Sequence, residues 1–327
     1  MLARLVLLLA LVVGPAPAAG PAGGKGGAVA STVSTAAAPT LWTPGIRDPG
    51  RGLVGRWERE LGRRAAILKS KRGPAAALGL TGLLVELGGE IDDARLGALL
   101  AGVADDRRHD PLVRSYAGYL LGELAEAGGD KAEARRRFEA EGYLLGWQIV
   151  GPFDNSGRAG HDQIFAPETT PYAAAQSFVG KLPGEALLWQ RVDYEQAPRR
   201  GYVALDDRLH PSEQATGYAT AWITAPRAMA AAIHLGTSGP YRIWLDGQEV
   251  AEGGTYRVAQ PLQEAHGVFL TPGVHQILIK ISADEGGWGF YARLSAPDGG
   301  PLAGVVASAE APASAAAGAG AEVKDAK

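Results

Sequence analysis

A chain of 327 residues with 46 % hydrophobic content is long enough for two ordinary domains with genuine cores. Its net charge of −3 makes no electrostatic case for binding nucleic acid or an anionic membrane. The complete lack of cysteine excludes disulfides, thiol nucleophiles, Cys-ligated zinc and a lipidated N-terminal cysteine.

The first residues decide the expected compartment. Met1-Leu2-Ala3-Arg4 carries one positive side chain, and residues 5–13 form an unbroken apolar run. Gly14-Pro15 breaks that run, and Ala16-Pro17-Ala18 fits the small-x-small cleavage pattern. This reads as a secretory signal peptide over residues 1–18, cut after Ala18, with an uncleaved anchor as the alternative. The run is shorter than the ~20 apolar residues a bilayer span needs, so no membrane span is expected after cleavage. Residues 19–41 are rich in Gly, Ala, Ser and Thr and predict a disordered linker.

Over residues 42–146 the apolar period is helical. Val54, Trp57, Leu61, Ala65 and Leu68 recur at three or four residues until Gly73-Pro74 ends the segment. A second helix is expected over residues 75–87 and a third around Leu96, Leu99, Leu100 and Val103. Asp110 as N-cap and Pro111 in the first turn start a fourth, and Asp130 with Glu133 predicts a capping box for a fifth. From Trp147 to residue 302 the texture is short strands and turns. Strands are predicted over residues 148–150, 187–192, 201–205, 218–223, 230–235, 241–245, 266–270, 275–281 and 289–294. In the stretch Tyr241-Arg242-Ile243-Trp244-Leu245, alternate residues face opposite sides, and Asp246-Gly247 supplies the positive φ of a tight hairpin. Residues 303–327 are Ala-rich without periodicity and predict a disordered tail.

Three resemblances rest on these residues. The segments 116–125 and 129–138, with small residues at Ala117, Gly118, Ala132 and Ala134, resemble one tetratricopeptide-type helical hairpin. Trp244-Leu245-Asp246-Gly247-Gln248-Glu249-Val250 resembles the hairpin of galactose-binding-like jelly rolls. Their strand entry is similar to Leu270-Thr271-Pro272-Gly273-Val274-His275, with His275 where asparagine is usual. Gly151-Pro152-Phe153-Asp154-Asn155, the stretch 162–168 and the stretch 285–294 are similar to the non-catalytic N-terminal region of exported bacterial tetratricopeptide/transglutaminase-like proteins. The expected fold is therefore α+β and multidomain, a tetratricopeptide-like array (42–146) followed by a jelly-roll β-sandwich (147–302). A Cys-His-Asp domain cannot be present in a chain without cysteine, so the resemblance implies architecture and export and removes that activity.

The six histidines lie in no metal-ligand spacing, and no serine-nucleophile or phosphate-loop motif survives inspection. Asp154, Asn155, Asp162 and Glu168 form one oxygen-rich group, matching the structural Ca²⁺ loop that the jelly-roll resemblance implies. The alternative is an Asx turn after Pro152-Phe153. Among the strand aromatics Trp189, Trp222, Trp244, Trp288 and Tyr291, the glycines around Trp288 single it out as an exposed sugar platform, with Tyr291 and Arg293 beside it. The expected protein is exported to the periplasm or beyond, is not an enzyme, and needs no cofactor, a structural Ca²⁺ being the one candidate. It works as an interaction or scaffolding protein of the cell envelope, its helices either holding a protein partner or serving as a support for the next domain. The alternatives are carbohydrate binding by the sandwich, or an accessory part of a transglutaminase-like system. Nucleic acid is not an expected partner.

Overall fold

The computed structural model describes residues 49–196 and 199–310, with side chains from Gly55 onward. The expected signal peptide, the linker and the start of the helical region lie outside these residues. Helices come first: α1 (Pro49–Ser70), α2 (Ala77–Leu80), α3 (Leu83–Leu87), α4 (Asp93–Asp105), α5 (Pro111–Ala127) and α6 (Lys131–Ala140). The helix expected over residues 75–87 is broken. Gly82 takes φ +69°, and a 3-10 turn at Pro74–Ala76 precedes α2. The Asp110 cap forms, its Oδ1 accepting from Leu112 N at 3.0 Å. Asp130 accepts from Glu133 N at 3.0 Å, but the Glu133 carboxylate turns to Arg136 and Arg137, so only half of the expected capping box exists. Close approach of α5 and α6 needs small residues: a Cβ on Gly122 would come within 2.6 Å of the Phe138 ring. The hydrophobic core of this layer runs from Leu68 to Phe138 and takes in Tyr143 and Tyr194.

The β region contains β1 (Gly146–Asp154), the short helix α7 (Ala166–Thr169), β2 (Ser177–Val179), β3 (Ala186–Leu188), β4 (Gln190–Asp193), β5 (Val203–Ala204), β6 (Ala215–Ala225) and β7 (Met229–Thr237). It continues with β8 (Tyr241–Leu245), β9 (Gln248–Gly253), β10 (Glu264–Leu270), β11 (Gly273–Ala283), β12 (Gly289–Ser295) and β13 (Val306–Ser308). One sheet orders β4-β1-β6-β11-β8-β9, with β13 on β6, and the other orders β10-β7-β12-β5. Every strand pairing is antiparallel. The sheets enclose a core that includes Trp147, Ile149, Ile233, Leu235, Ile243, Ile279, Trp288 and Phe290. This is a β-sandwich. It does not stop at residue 302 as expected. β13 pairs with Trp222–Thr224 of β6, and Ala309 is buried, because β1 leaves that half of β6 without a neighbour.

Helices and sandwich form one compact unit rather than two. After α6 the chain pairs with β12, Leu144 N donating to Ala292 O (3.0 Å) and Leu294 N to Gly142 O (2.9 Å). The helical layer thus covers the β12 end of the four-stranded sheet's outer side, while the outward residues of β10 stay exposed. The crossover between β1 and β4 covers part of the seven-stranded sheet's outer side, burying Phe153, Phe178, Leu187, Tyr218, Trp244 and Leu278.

The β8–β9 hairpin forms as the alternation requires. Tyr241, Ile243 and Leu245 enter the core, Trp244 packs on the other face, and Asp246 and Gly247 take φ +53° and +78°. Asp246 also accepts from Gln276 N (2.8 Å) and from His275 Nδ1 (2.6 Å), while His275 Nε2 donates to Thr271 O (2.8 Å). Both ring nitrogens therefore face acceptors, which suits the imidazolium. Burial by itself lowers the His275 pKa, but the Thr271 and Asp246 hydrogen bonds outweigh it and raise the value above the ordinary one. A raised folded pKa stabilises fully below the unfolded value of about 6.5, and that contribution is lost as pH rises through the folded pKa. Melting curves of the wild type should accordingly fall between pH 6 and 9 by a component that His275→Asn lacks; parallel pH profiles would contradict this.

Candidate functional site

Among the expected ligand residues, Trp288 is fully buried. Its indole lies over Gly217, where a Cβ would meet the ring at 2.7 Å, and its Nε1 donates to Ile281 O at 3.2 Å. The surrounding glycines admit the ring into the core instead of exposing it. Trp288 is therefore not a sugar platform.

Tyr291 and Arg293 stand on the outer side of β12, where the helices cover them. Arg293 is buried: Nε donates to Glu141 O (2.6 Å), and Nη2 donates to Gly299 O (2.7 Å) and Ser115 Oγ (2.5 Å). Ser115 in turn donates to the Glu141 carboxylate. Tyr291 packs against Tyr202, with ring centroids 5.1 Å apart, and burial pushes its hydroxyl up to about 12. Arg293 holds helices to sheet and is closed to a ligand, and Tyr291 is half-buried in the same seam.

The oxygen-rich group does not gather. Asp154 Oδ1 accepts from Ser156 Oγ (2.7 Å) and Ser156 N (3.3 Å), the local turn weighed against Ca²⁺. Asn155 is buried, its Nδ2 donating to Ala283 O (2.7 Å) and its Oδ1 accepting from Gly160 N (2.9 Å). Asp162 stands in solvent, 3.6 Å from Arg242. Glu168 is neutralised by the buried Lys280 (2.8 Å), and Tyr218 donates to it as well. Burial lowers the Lys280 pKa and raises that of Tyr218. Lys280 also donates to Gln163 O (2.6 Å), so this cluster pins the crossover to β11 and β6. No group of three or more His, Asp or Glu side chains among the described residues could hold a metal ion.

A cleft of about 440 Å³ opens between α6, β4 and β13. Its arginines are already occupied: Arg135 bridges Glu139 (2.8 Å) and Glu195, and Arg191 bridges Asp193 (2.7 Å) and Glu310. Each guanidinium faces two carboxylates, so the cleft has no surplus positive charge to attract an anion.

Two packed, partly accessible rings lie on the outer side of the seven-stranded sheet where the crossover ends, while the more exposed Phe269 stands alone on β10. Tyr172 and Trp189 are both partly exposed, with ring centroids 5.3 Å apart. Tyr172 stands edge-on to Trp222 (4.7 Å), and Trp189 edge-on to the buried Phe178 (5.9 Å). The register sets Gln276 opposite Trp222, and Gln148 opposite Thr220, on this side of the sheet. Gln276 Nε2 donates to Thr220 Oγ1 (2.9 Å), which in turn donates to Ile277 O (2.9 Å). A packed pair of rings therefore rests on Trp222, across the register from the hydrogen-bonded amide of Gln276. Trp189 and Trp222 were among the strand aromatics of the sequence; Tyr172 and Gln276 were missed. The signal at Trp189 was its position between apolar Leu187-Leu188 and polar Gln190-Arg191.

The fold and this surface together define a helix-backed β-sandwich with an aromatic outer patch. No family model and no curated protein matches the chain. It is similar to a β-glucosidase from Kluyveromyces marxianus (14 % identity, 48 % of this chain and 18 % of that chain, TM-score 0.30). It is also similar to a PA14 sugar-binding domain from an RTX adhesin (26 % identity, 24 % and 44 %, TM-score 0.20). A third similarity is to the PA14 domain of an antifreeze protein (16 % identity, 25 % and 44 %, TM-score 0.22). The chain spans less than half of each of these solved chains. Likenesses this slight carry no argument about activity.

Proposed function

We propose that the protein is an exported, non-catalytic binding protein whose sandwich takes a carbohydrate, of galactose-binding-like jelly-roll character as the sequence resemblance implies. The observation that carries the reading is the partly exposed Tyr172–Trp189 pair, packed on Trp222, which the register sets opposite Gln276. A pyranose offers an apolar C–H face to an aromatic ring, and its hydroxyls need fixed donors and acceptors such as amides. The scaffolding alternative, with tetratricopeptide-like helices holding a protein partner or serving a transglutaminase-like system, calls for an apolar groove. Instead the inner faces of α5 and α6 are filled by the other helices, and Ser115, Tyr119 and Phe138 also meet Arg293, Tyr143 and Tyr194. The exposed large apolar side chains on the described helices are Leu78 and Val85, two residues rather than a stripe.

The test is a glycan array followed by titration calorimetry on the full chain. Trp189→Ala should weaken binding at least about tenfold, equal to ~1.4 kcal/mol. It should shift the melting temperature far less than a core tryptophan would. A blank array, or undiminished binding by Trp189→Ala and Tyr172→Ala, would overturn the proposal.

A further inference from the structure

The total charge of the chain conceals one strongly basic element. α1 carries six arginines and lysines against two glutamates, in a chain whose net charge is −3. Its inner side puts Trp57, Leu61 and Leu68 into the helical core. The buried Arg64 also faces inward, donating to Glu60 (2.8 Å), to Glu86 (2.5 Å) and to Thr81 O. Arg56, Arg59 and Arg63, three and four residues apart, share the opposite side, and all three are exposed. Arg63 shares Glu60 with Arg64, and Arg56 lies over the Trp57 ring at 5.0 Å. Lys69 and Lys71 are exposed further along. α1 packs on α2 and is tied to α4 by Glu58–Arg95 (2.6 Å), whereas α5 and α6 meet the sandwich.

We propose that this side of α1 docks the protein peripherally on an anionic bilayer, through lipid phosphate groups. A 22-residue helix is roughly 33 Å long. Glu60 offsets part of the charge of Arg63 and Arg64, but the row stays net positive and extended with no built pocket, which matches a planar array of phosphates better than a single small anion. Guanidinium groups pair bidentately with phosphate oxygens. No described helix is long and apolar enough to cross a membrane. Attachment would therefore be electrostatic and reversible, strengthened roughly fivefold by each arginine.

The test is co-sedimentation of the full chain with phosphatidylcholine vesicles containing increasing phosphatidylglycerol, at low and high salt. Binding should rise with the anionic fraction and weaken as salt screens it. R56Q/R59Q/R63Q should lose on the order of a hundredfold in affinity while melting like the parent, and R56K/R59K/R63K should retain most of the binding. Equal binding to pure phosphatidylcholine would overturn the proposal, as would unchanged binding by the glutamine triple variant. Capture by a soluble polysulfated glycan without vesicle binding would assign the face to another partner and also overturn it. The readout is independent of Trp189, so failure here leaves the glycan reading standing, and the reverse holds.

Discussion

Arg293→Ala is expected to lower unfolding free energy by about 3–4 kcal/mol and to loosen the helices from the sandwich. The guanidinium donates to two backbone carbonyls and to Ser115 from a nearly water-free position. Removing it strands the Glu141 and Gly299 carbonyls and leaves the Glu141 carboxylate with Ser115 but without the nearby cation. Burial already pushes the Glu141 carboxyl up, so loss of that cation favours protonation further. Urea denaturation followed by tyrosine fluorescence and far-UV dichroism should show either a lower midpoint or two separated transitions, the helices melting first. An unchanged single transition would mean that apolar contacts alone join the layers. Arg293→Lys should recover little of the loss, since one ammonium cannot reproduce a planar fork reaching three oxygens.

Trp288→Ala is expected to cost about 3–5 kcal/mol, the usual price of emptying a core tryptophan site. The ring fills space above Gly217 between the two sheets, and its Nε1 satisfies the Ile281 carbonyl. Neighbouring β-strands cannot collapse into that volume without breaking their ladders, so most of the cavity should persist. The measurement is a chemical denaturation midpoint, paired with glycan binding under conditions where the variant is folded. Binding should survive, because Trp288 is far from solvent, whereas Trp189→Ala should show the inverse pattern. If Trp288→Ala lost binding while keeping its stability, the burial argument would be wrong.

Much of the architecture was legible because short-range chemistry set it. Asp110-Pro111 marks the start of α5 since only an acceptor before a donor-poor first turn suits that end. Asp246-Gly247 turns the hairpin because few residues accept positive φ. Alternation in Tyr241–Leu245 reported its two faces correctly. The misreadings share a cause. Glycines flanking Trp288 look alike in sequence whether they expose a ring or admit it to a core. Asp154, Asn155, Asp162 and Glu168 are neighbours along the chain, but a kinked turn at Gly157 and Arg158 sends their side chains to different partners. β2 and β13 escaped notice because both are three residues long, too short for an alternation to reveal them.

What the sequence determined by itself was local: where helices give way to strands, which turns close hairpins, and which residues carry apolar faces. Those properties depend on interactions across a few residues. Tertiary structure alone decided which sheet face the helices pack on, and hence that Arg293 became a buried joint with the half-buried Tyr291 beside it. It also left Tyr172 and Trp189 partly in solvent, and left the basic side of α1 uncovered by the other described residues in a chain of nearly balanced charge. Burial depends on what lands against a residue from hundreds of positions away, and no local pattern encodes that.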